Sequence, residues 1–229
     1  MLELFVNEEG GLTAGGYGLC IGILLVCLLA AAVHRGGGRA EANPRRLAFC
    51  AMAAALAYVT SFIRVFKLPY GGSVTLMSML FIVLAAYWFG VRTGVLVGFA
   101  YGILQFLQEP YFLSLFQVCC DYVLAFAALG AAGFFRNRKN GLIKGYVLAV
   151  LLRGAFHALG GYLYWMDYMP DTFPQSLRSL YPIIYNYSFL LAEGAMTIIL
   201  LKIPAVEKAL DVIGRMATSK GSTPITEKV

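Results

Sequence analysis

The chain has 229 residues, of which 60% are hydrophobic and only 13% charged, a balance outside that of soluble domains. Its formal net charge of +6 forms no basic stripe interleaved with aromatics, so nucleic acid is not the implied partner. Cys20, Cys27, Cys50, Cys119 and Cys120 all lie in apolar blocks without a CxxC pair, which supports neither a disulfide framework nor a zinc site.

Seven apolar segments follow one another at about 14–33, 47–65, 73–90, 93–108, 111–135, 145–166 and 180–203. Most approach the roughly 20 residues needed to cross about 30 Å of hydrocarbon as a helix. The composition therefore predicts an all-α membrane protein. The first segment has an acidic leader, Glu3, Glu8 and Glu9, where a secretory signal would carry basic residues, and reads as a retained helix. Turn formers separate the segments: Gly36 to Gly38 with Pro44, Pro69 with Gly71 and Gly72, Pro110, and Pro170 with Pro174.

Basic residues alternate strongly between sides. The loop 34–46 holds Arg35, Arg39, Arg45 and Arg46, and the next turn on that side holds Arg92. Arg136, Arg138, Lys139 and Lys144 follow, then Lys202, Lys208, Arg215, Lys220 and Lys228 after the last segment. Fourteen basic residues on this side face Arg64, Lys67 and Arg178 on the other. The imbalance predicts an outside N-terminus and a cytoplasmic C-terminus. Residues 204–229 read as a partly amphipathic stretch, Val206 to Met216, and a polar tail.

Ionisable groups inside the apolar segments are few: Asp121, Arg153, His157 and Glu193. Such groups are costly in lipid and mark candidate functional positions. Arg153 and Glu193 sit at matched depth, about 13 Å from the cytoplasmic ends of neighbouring segments at 1.5 Å per residue. Equal depth and opposite charge predict a structural ion pair, with snorkelling of Arg153 or a direct transport role as the other readings. Asp121 and His157 lie nearer the outer side. A spacing of four puts Arg153, His157, Gly161 and Trp165 on one helix face, while Tyr181 and Asn186 lie on adjoining turns of the last segment. A carboxylate among aromatic planes suits a flat, nitrogen-rich cation. The same spacing also fits plain interhelical packing.

The stretches Lys67-Leu-Pro-Tyr-Gly-Gly-Ser-Val-Thr-Leu76, Gly102-Ile-Leu-Gln-Phe106, Gln117-Val-Cys-Cys-Asp-Tyr-Val-Leu-Ala-Phe126 and Arg153-Gly-Ala-Phe-His157 carry a family likeness. Together they resemble the thiamine-specific S components of energy-coupling-factor (ECF) vitamin transporters, over about residues 45–203. The resemblance implies a six-helix S-component bundle, here with one additional N-terminal transmembrane helix. It divides the chain into 1–44, the extra helix and basic loop; 45–203, the thiamine-binding domain; and 204–229, a cytoplasmic tail. It implies a high-affinity thiamine-binding subunit in a bacterial cell membrane, without catalytic residues, metal or cofactor. Its partners would be a transmembrane scaffold subunit and two cytoplasmic ATPases.

Carried over by position, Asp121, Tyr122, His157, Gly161, Trp165, Tyr181 and Asn186 become substrate-binding residues. Tyr70, Gly71 and Gly72 fall in a gating loop, Phe66 to Ser73. Ala51, Ala53, Ala55 and Ala57 form two small-xxx-small rows on the first core helix. The resemblance places scaffold docking on such a row, here Ala53 and Ala57, and internal packing explains the rows equally well. Two departures stand out: Asp121 occupies a position where some relatives carry Glu, and the N-terminal segment lies outside the family pattern.

Alternatives are an S component for a thiamine phosphate or related pyrimidine, an intramembrane hydrolase, and a transporter that works alone. The chain contains no HExxH or GxSxG, no paired intramembrane aspartates and no Walker A loop, so any ATP hydrolysis falls to partners. No internal repeat supports a lone transporter.

Overall fold

The computed structural model describes residues 4–5, 12–36 and 39–219. Among these, each apolar segment contains a helix: α1 Ala14–Ala32, α2 Pro44–Ser61, α3 Ser78–Phe89, α4 Val91–Gln108, α5 Leu115–Phe135, α6 Gly141–Tyr164 and α7 Tyr181–Leu201. An amphipathic α8, Pro204–Thr218, follows. The all-α bundle with a preceding helix is the architecture expected from the sequence. Leu115–Phe135, Gly141–Tyr164 and Gln175–Leu201 are each long and apolar enough to cross a membrane, and Ser78–Phe89 is a shorter apolar helix. The acidic leader and the tail beyond Ser219 lie outside the described residues.

Helix starts follow local chemistry. Asn43 caps α2 by accepting from Arg46 N at 3.1 Å, and Pro44 occupies the first turn, where a missing N–H costs nothing. The third apolar segment begins as a strand instead of a helix. β3 (Arg64–Lys67) pairs antiparallel with β4 (Ser73–Thr75), with Phe66 opposite Val74 and Lys67 opposite Ser73. A short upstream ribbon pairs β1 (Val33–Gly36) with β2 (Arg39–Ala42). The β3–β4 tip turns through Pro69–Gly71, where Gly71 has φ 103°, a conformation that favours glycine.

The core gathers where α2, α3, α4, α5, α6 and α7 meet, around buried Met79, Ile82, Tyr101, Leu129, Tyr146 and Leu190. Glycines set the closest approach. Gly94, Gly98 and Gly102 recur every fourth residue on α4, and a Cβ at any of them would collide with a neighbouring element: Ala86 and Gly130, the Phe126 carbonyl, and the Tyr122 carbonyl respectively. Small residues at this spacing let helix backbones meet in lipid. α1 packs on α4 and α2. α8 contacts α2, α3 and α8's predecessor α7, with Gly214 against the Trp88 indole and Arg45 Nη1 donating to Ser219 O at 2.9 Å.

Two expectations are corrected. Ala53 and Ala57 are only 8% and 0% exposed, so this pair packs inside the bundle. The Tyr101 hydroxyl donates to Ala57 O at 3.4 Å, and the outward face of α2 carries Met52, Leu56 and Val59 instead. Arg153 and Glu193 form no ion pair within 4 Å, because each is held by other groups. The Glu193 carboxylate accepts from Thr75 N at 2.9 Å, Thr75 Oγ1 at 2.7 Å, Met79 N at 3.3 Å and Ser78 Oγ at 3.5 Å. It thereby caps α3 from α7, at a terminus where Met77 offers no capping side chain.

Candidate ligand-binding site

Asp121 reaches the bundle interior from an irregular stretch of α5. Residues Cys119–Leu124 form a π-helical turn, which widens the backbone spiral and re-aims the side chains that follow. Asp121 Oδ2 accepts from Gln117 Nε2 at 2.9 Å and from Trp165 Nε1 at 3.4 Å. Its Oδ1 lies 3.5 Å from His157 Nδ1, and the two side chains are 15% and 14% exposed. On the far side, Oδ1 rests against Gly160 of α6, where a Cβ would come within 2.7 Å of it.

His157 bridges this carboxylate to a cation. Arg153 Nε donates to His157 Nε2 at 3.3 Å, and the guanidinium lies over the Phe126 ring, 4.2 Å from its centroid. Trp165 stands just past the end of α6, between the rings of Tyr111 and Tyr168, each at 5.2 Å. A side-chain hydrogen bond with Tyr168 raises the Tyr111 phenol above its ordinary value.

A cavity of about 520 Å³ opens among these groups. Asp121, Tyr122, His157, Gly161, Trp165, Tyr181 and Asn186 all line it. Tyr122 donates to Glu109 O at 2.9 Å and stacks edge-on against Phe106 at 4.9 Å. Asn186 Nδ2 donates to Pro182 O at 2.8 Å and to His157 O at 3.3 Å, so its amide oxygen is the atom left for a ligand. Gly161 lets Pro182 approach, since a Cβ there would lie 2.8 Å from the proline ring. Tyr181 sits between Phe173 and Tyr185, at 5.0 and 5.8 Å. Arg153 and Glu193 line the same cavity.

The β3–β4 tip borders this cavity through Gly71 and Gly72. Gly72 N donates to the Tyr185 hydroxyl at 3.2 Å, and that hydroxyl donates to Pro69 O. Gly72 is required by proximity, because a Cβ would meet the Phe189 ring at 2.8 Å. The Tyr70 side chain lies outside the described residues. On the opposite flank Arg64 Nη2 meets Glu109 Oε1 at 2.6 Å, with Lys67 Nζ at 3.7 Å from the same oxygen. Sequence reasoning missed Gln117, Gly160 and Tyr185; Gln117, one helical turn before Asp121, was the most readable of them.

A buried carboxylate framed by an indole, an imidazole and tyrosines is the kind of concave, mainly aromatic site that holds a small cation. The family model described as "Thiamine transporter protein" matches residues 47–211. The chain belongs to the thiamine transporter family. Within that family it is similar to the thiamine transporter ThiT of Bacillus subtilis (strain 168), with 31% identity across 59% of this chain and 76% of the relative. The solved structure of ThiT from Listeria monocytogenes superposes with a TM-score of 0.58 and 26% identity, over 72% of this chain and 98% of that one. The matched region begins inside α2, so α1 and the β1–β2 ribbon precede the part shared with the family. As a thiamine transporter family member the chain is a multi-pass membrane protein.

Proposed function

We propose that this chain is the thiamine-binding S component of an ECF-type importer and that thiamine occupies the cavity around Asp121. One observation carries the reading: the Asp121 carboxylate, held by Gln117 and Trp165 inside an aromatic-walled cavity of about 520 Å³. Drug-sized ligands occupy sites of roughly 300 to 1,000 Å³. The carboxylate supplies a counter-charge and an acceptor for an amino group, and the Trp165, Tyr111 and Tyr168 rings offer faces to a cationic heterocycle. In this reading the β3–β4 tip, with Tyr70, Gly71 and Gly72, opens to admit the ligand and closes over it. The Tyr185 contacts to Pro69 and Gly72 support a closed position of the tip.

Residues 45–203 then form the binding domain, 1–44 an appended helix and ribbon, and 204–229 the cytoplasmic tail. The basic residues favour an outside N-terminus and an inside C-terminus. In this reading a scaffold subunit and two ATPases complete the transporter, and any ATP hydrolysis falls to them, since the sequence carries no Walker A loop. Isothermal calorimetry of the purified chain with thiamine, its phosphates and hydroxymethylpyrimidine tests the reading: thiamine binds tightest, without ATP. Tighter binding of a phosphate or of the free pyrimidine would reassign the substrate.

A further inference from the structure

Arg153 poses a problem for any cavity that takes a cation. Its guanidinium lines the same cavity as Asp121, and like charges repel most strongly where water is sparse. Glu193 offsets the charge only through space, with no contact within 4 Å, since that carboxylate is occupied by donors from Thr75, Ser78 and Met79. What Arg153 does touch is the Phe126 face and, one helical turn along α6, His157 Nε2 at 3.3 Å.

Those contacts settle the chemistry of the imidazole. A guanidinium has donors only, so the nitrogen that receives Arg153 Nε–H must present a lone pair. The neutral ring has one donor and one acceptor nitrogen, which leaves its proton on Nδ1. Nδ1 is the atom facing Asp121 Oδ1, at 3.5 Å. In the other tautomer two lone pairs would face each other, and the carboxylate would turn away from the position it holds between Gly160, Gln117 and Trp165.

We infer that Arg153 is a positioning residue: by donating to His157 Nε2 it sets the tautomer that aims Nδ1–H at Asp121, and so orients the carboxylate that meets the ligand. The inference rests on the thiamine-binding reading above.

The test separates the donor from the charge. In Arg153→Gln the amide nitrogen stands at the same place along the side chain as Arg Nε, so the donor stays and the charge goes. In Arg153→Met both are lost. Nitrogen-15 spectra of histidine-labelled protein, assigned with His34→Gln, should show the Nδ1–H tautomer in wild type and Arg153→Gln, and its loss in Arg153→Met. Thiamine affinity should fall about tenfold or more in Arg153→Met, the scale of a lost hydrogen bond to a charged group. Arg153→Gln should bind at least as tightly as wild type. Coulomb repulsion alone gives the opposite sign for Met, so unchanged or tighter binding by that variant overturns the inference. An Nε2–H tautomer in wild type overturns it as well, and so does a Gln variant that behaves like Met. Should the Met variant fail to fold, the wild-type and Gln tautomers still decide. The tautomer is read without ligand, so a wild type that binds no thiamine overturns the functional reading and is recognised as that separate failure.

Discussion

The indole Nε1 of Trp165, just past the end of α6, donates to Oδ2 of Asp121 at 3.4 Å, so the aromatic wall and the charged centre of the cavity are tied together. Trp165→Phe retains a ring face and removes the donor, whereas Trp165→Ala removes both. Thiamine affinity should fall modestly in the first and further in the second, where lost ring contacts add about 0.5 to 1.5 kcal/mol. Equal affinities in the two variants, measured by calorimetry, would show that the ring face contributes nothing.

Gly160 holds the other side of the carboxylate. A methyl at this position would stand 2.7 Å from Asp121 Oδ1, which must then rotate. Gly160→Ala should weaken thiamine binding while leaving thermal stability in detergent nearly unchanged, since the atom displaced is the end of a side chain. A large loss of stability with normal affinity would place the glycine in packing alone.

Glu193→Gln should lower stability by roughly 1.5 to 3 kcal/mol, the range for hydrogen bonds to a charged group, because the neutral amide caps α3 less well. Thr75 N and Met79 N donate to different carboxylate oxygens, so the single amide oxygen keeps an acceptor for only one of them and leaves the other facing an NH2 group. Chemical denaturation in detergent measures the difference, and an unchanged midpoint would remove the capping role.

Gly102→Ala places a methyl against the Tyr122 carbonyl, a backbone atom that cannot move alone. Overpacking of this kind costs about 1 to 3 kcal/mol, and here it also shifts a cavity residue. Both stability and affinity should fall together; a variant with wild-type melting would show that α4 and α5 can separate without loss.

The topology has its own test. Single cysteines at Phe5 and Ile225, in a cysteine-free background, should label from outside at position 5 only. Labelling at 225 alone would invert the orientation.

Apolar blocks made the seven helices legible, although among the described residues only Leu115–Phe135, Gly141–Tyr164 and Gln175–Leu201 are both as long and as apolar as hydrocarbon thickness asks for. Their ends depended on finer chemistry: Ser73 to Thr75 look like the start of a span and instead pair with Arg64 to Lys67 across a tight turn. Depth was readable for Arg153 and Glu193, yet their partners were not. Residue spacing gives height along a helix, while pairing also needs the rotation of each helix about its axis. The donors that occupy Glu193 come from the irregular entry to α3, where Met77 adopts φ 57°, and no periodicity announces them. Rotation likewise decided which alanine row of α2 faced inward. The π-helical turn that re-aims Asp121 has no sequence signature, although Gly94, Gly98 and Gly102 were in plain view at four-residue spacing.

The most direct measurement is calorimetric titration of thiamine into wild type and Asp121→Asn, both confirmed folded by thermal melting. The substitution preserves shape and removes the negative charge that faces the ligand. Affinity should fall by about 1.5 to 3 kcal/mol, roughly tenfold to more than a hundredfold. An Asn variant that binds thiamine as tightly as wild type would contradict the assignment of Asp121 as the counter-charge and, with it, the placement of the ligand in this cavity.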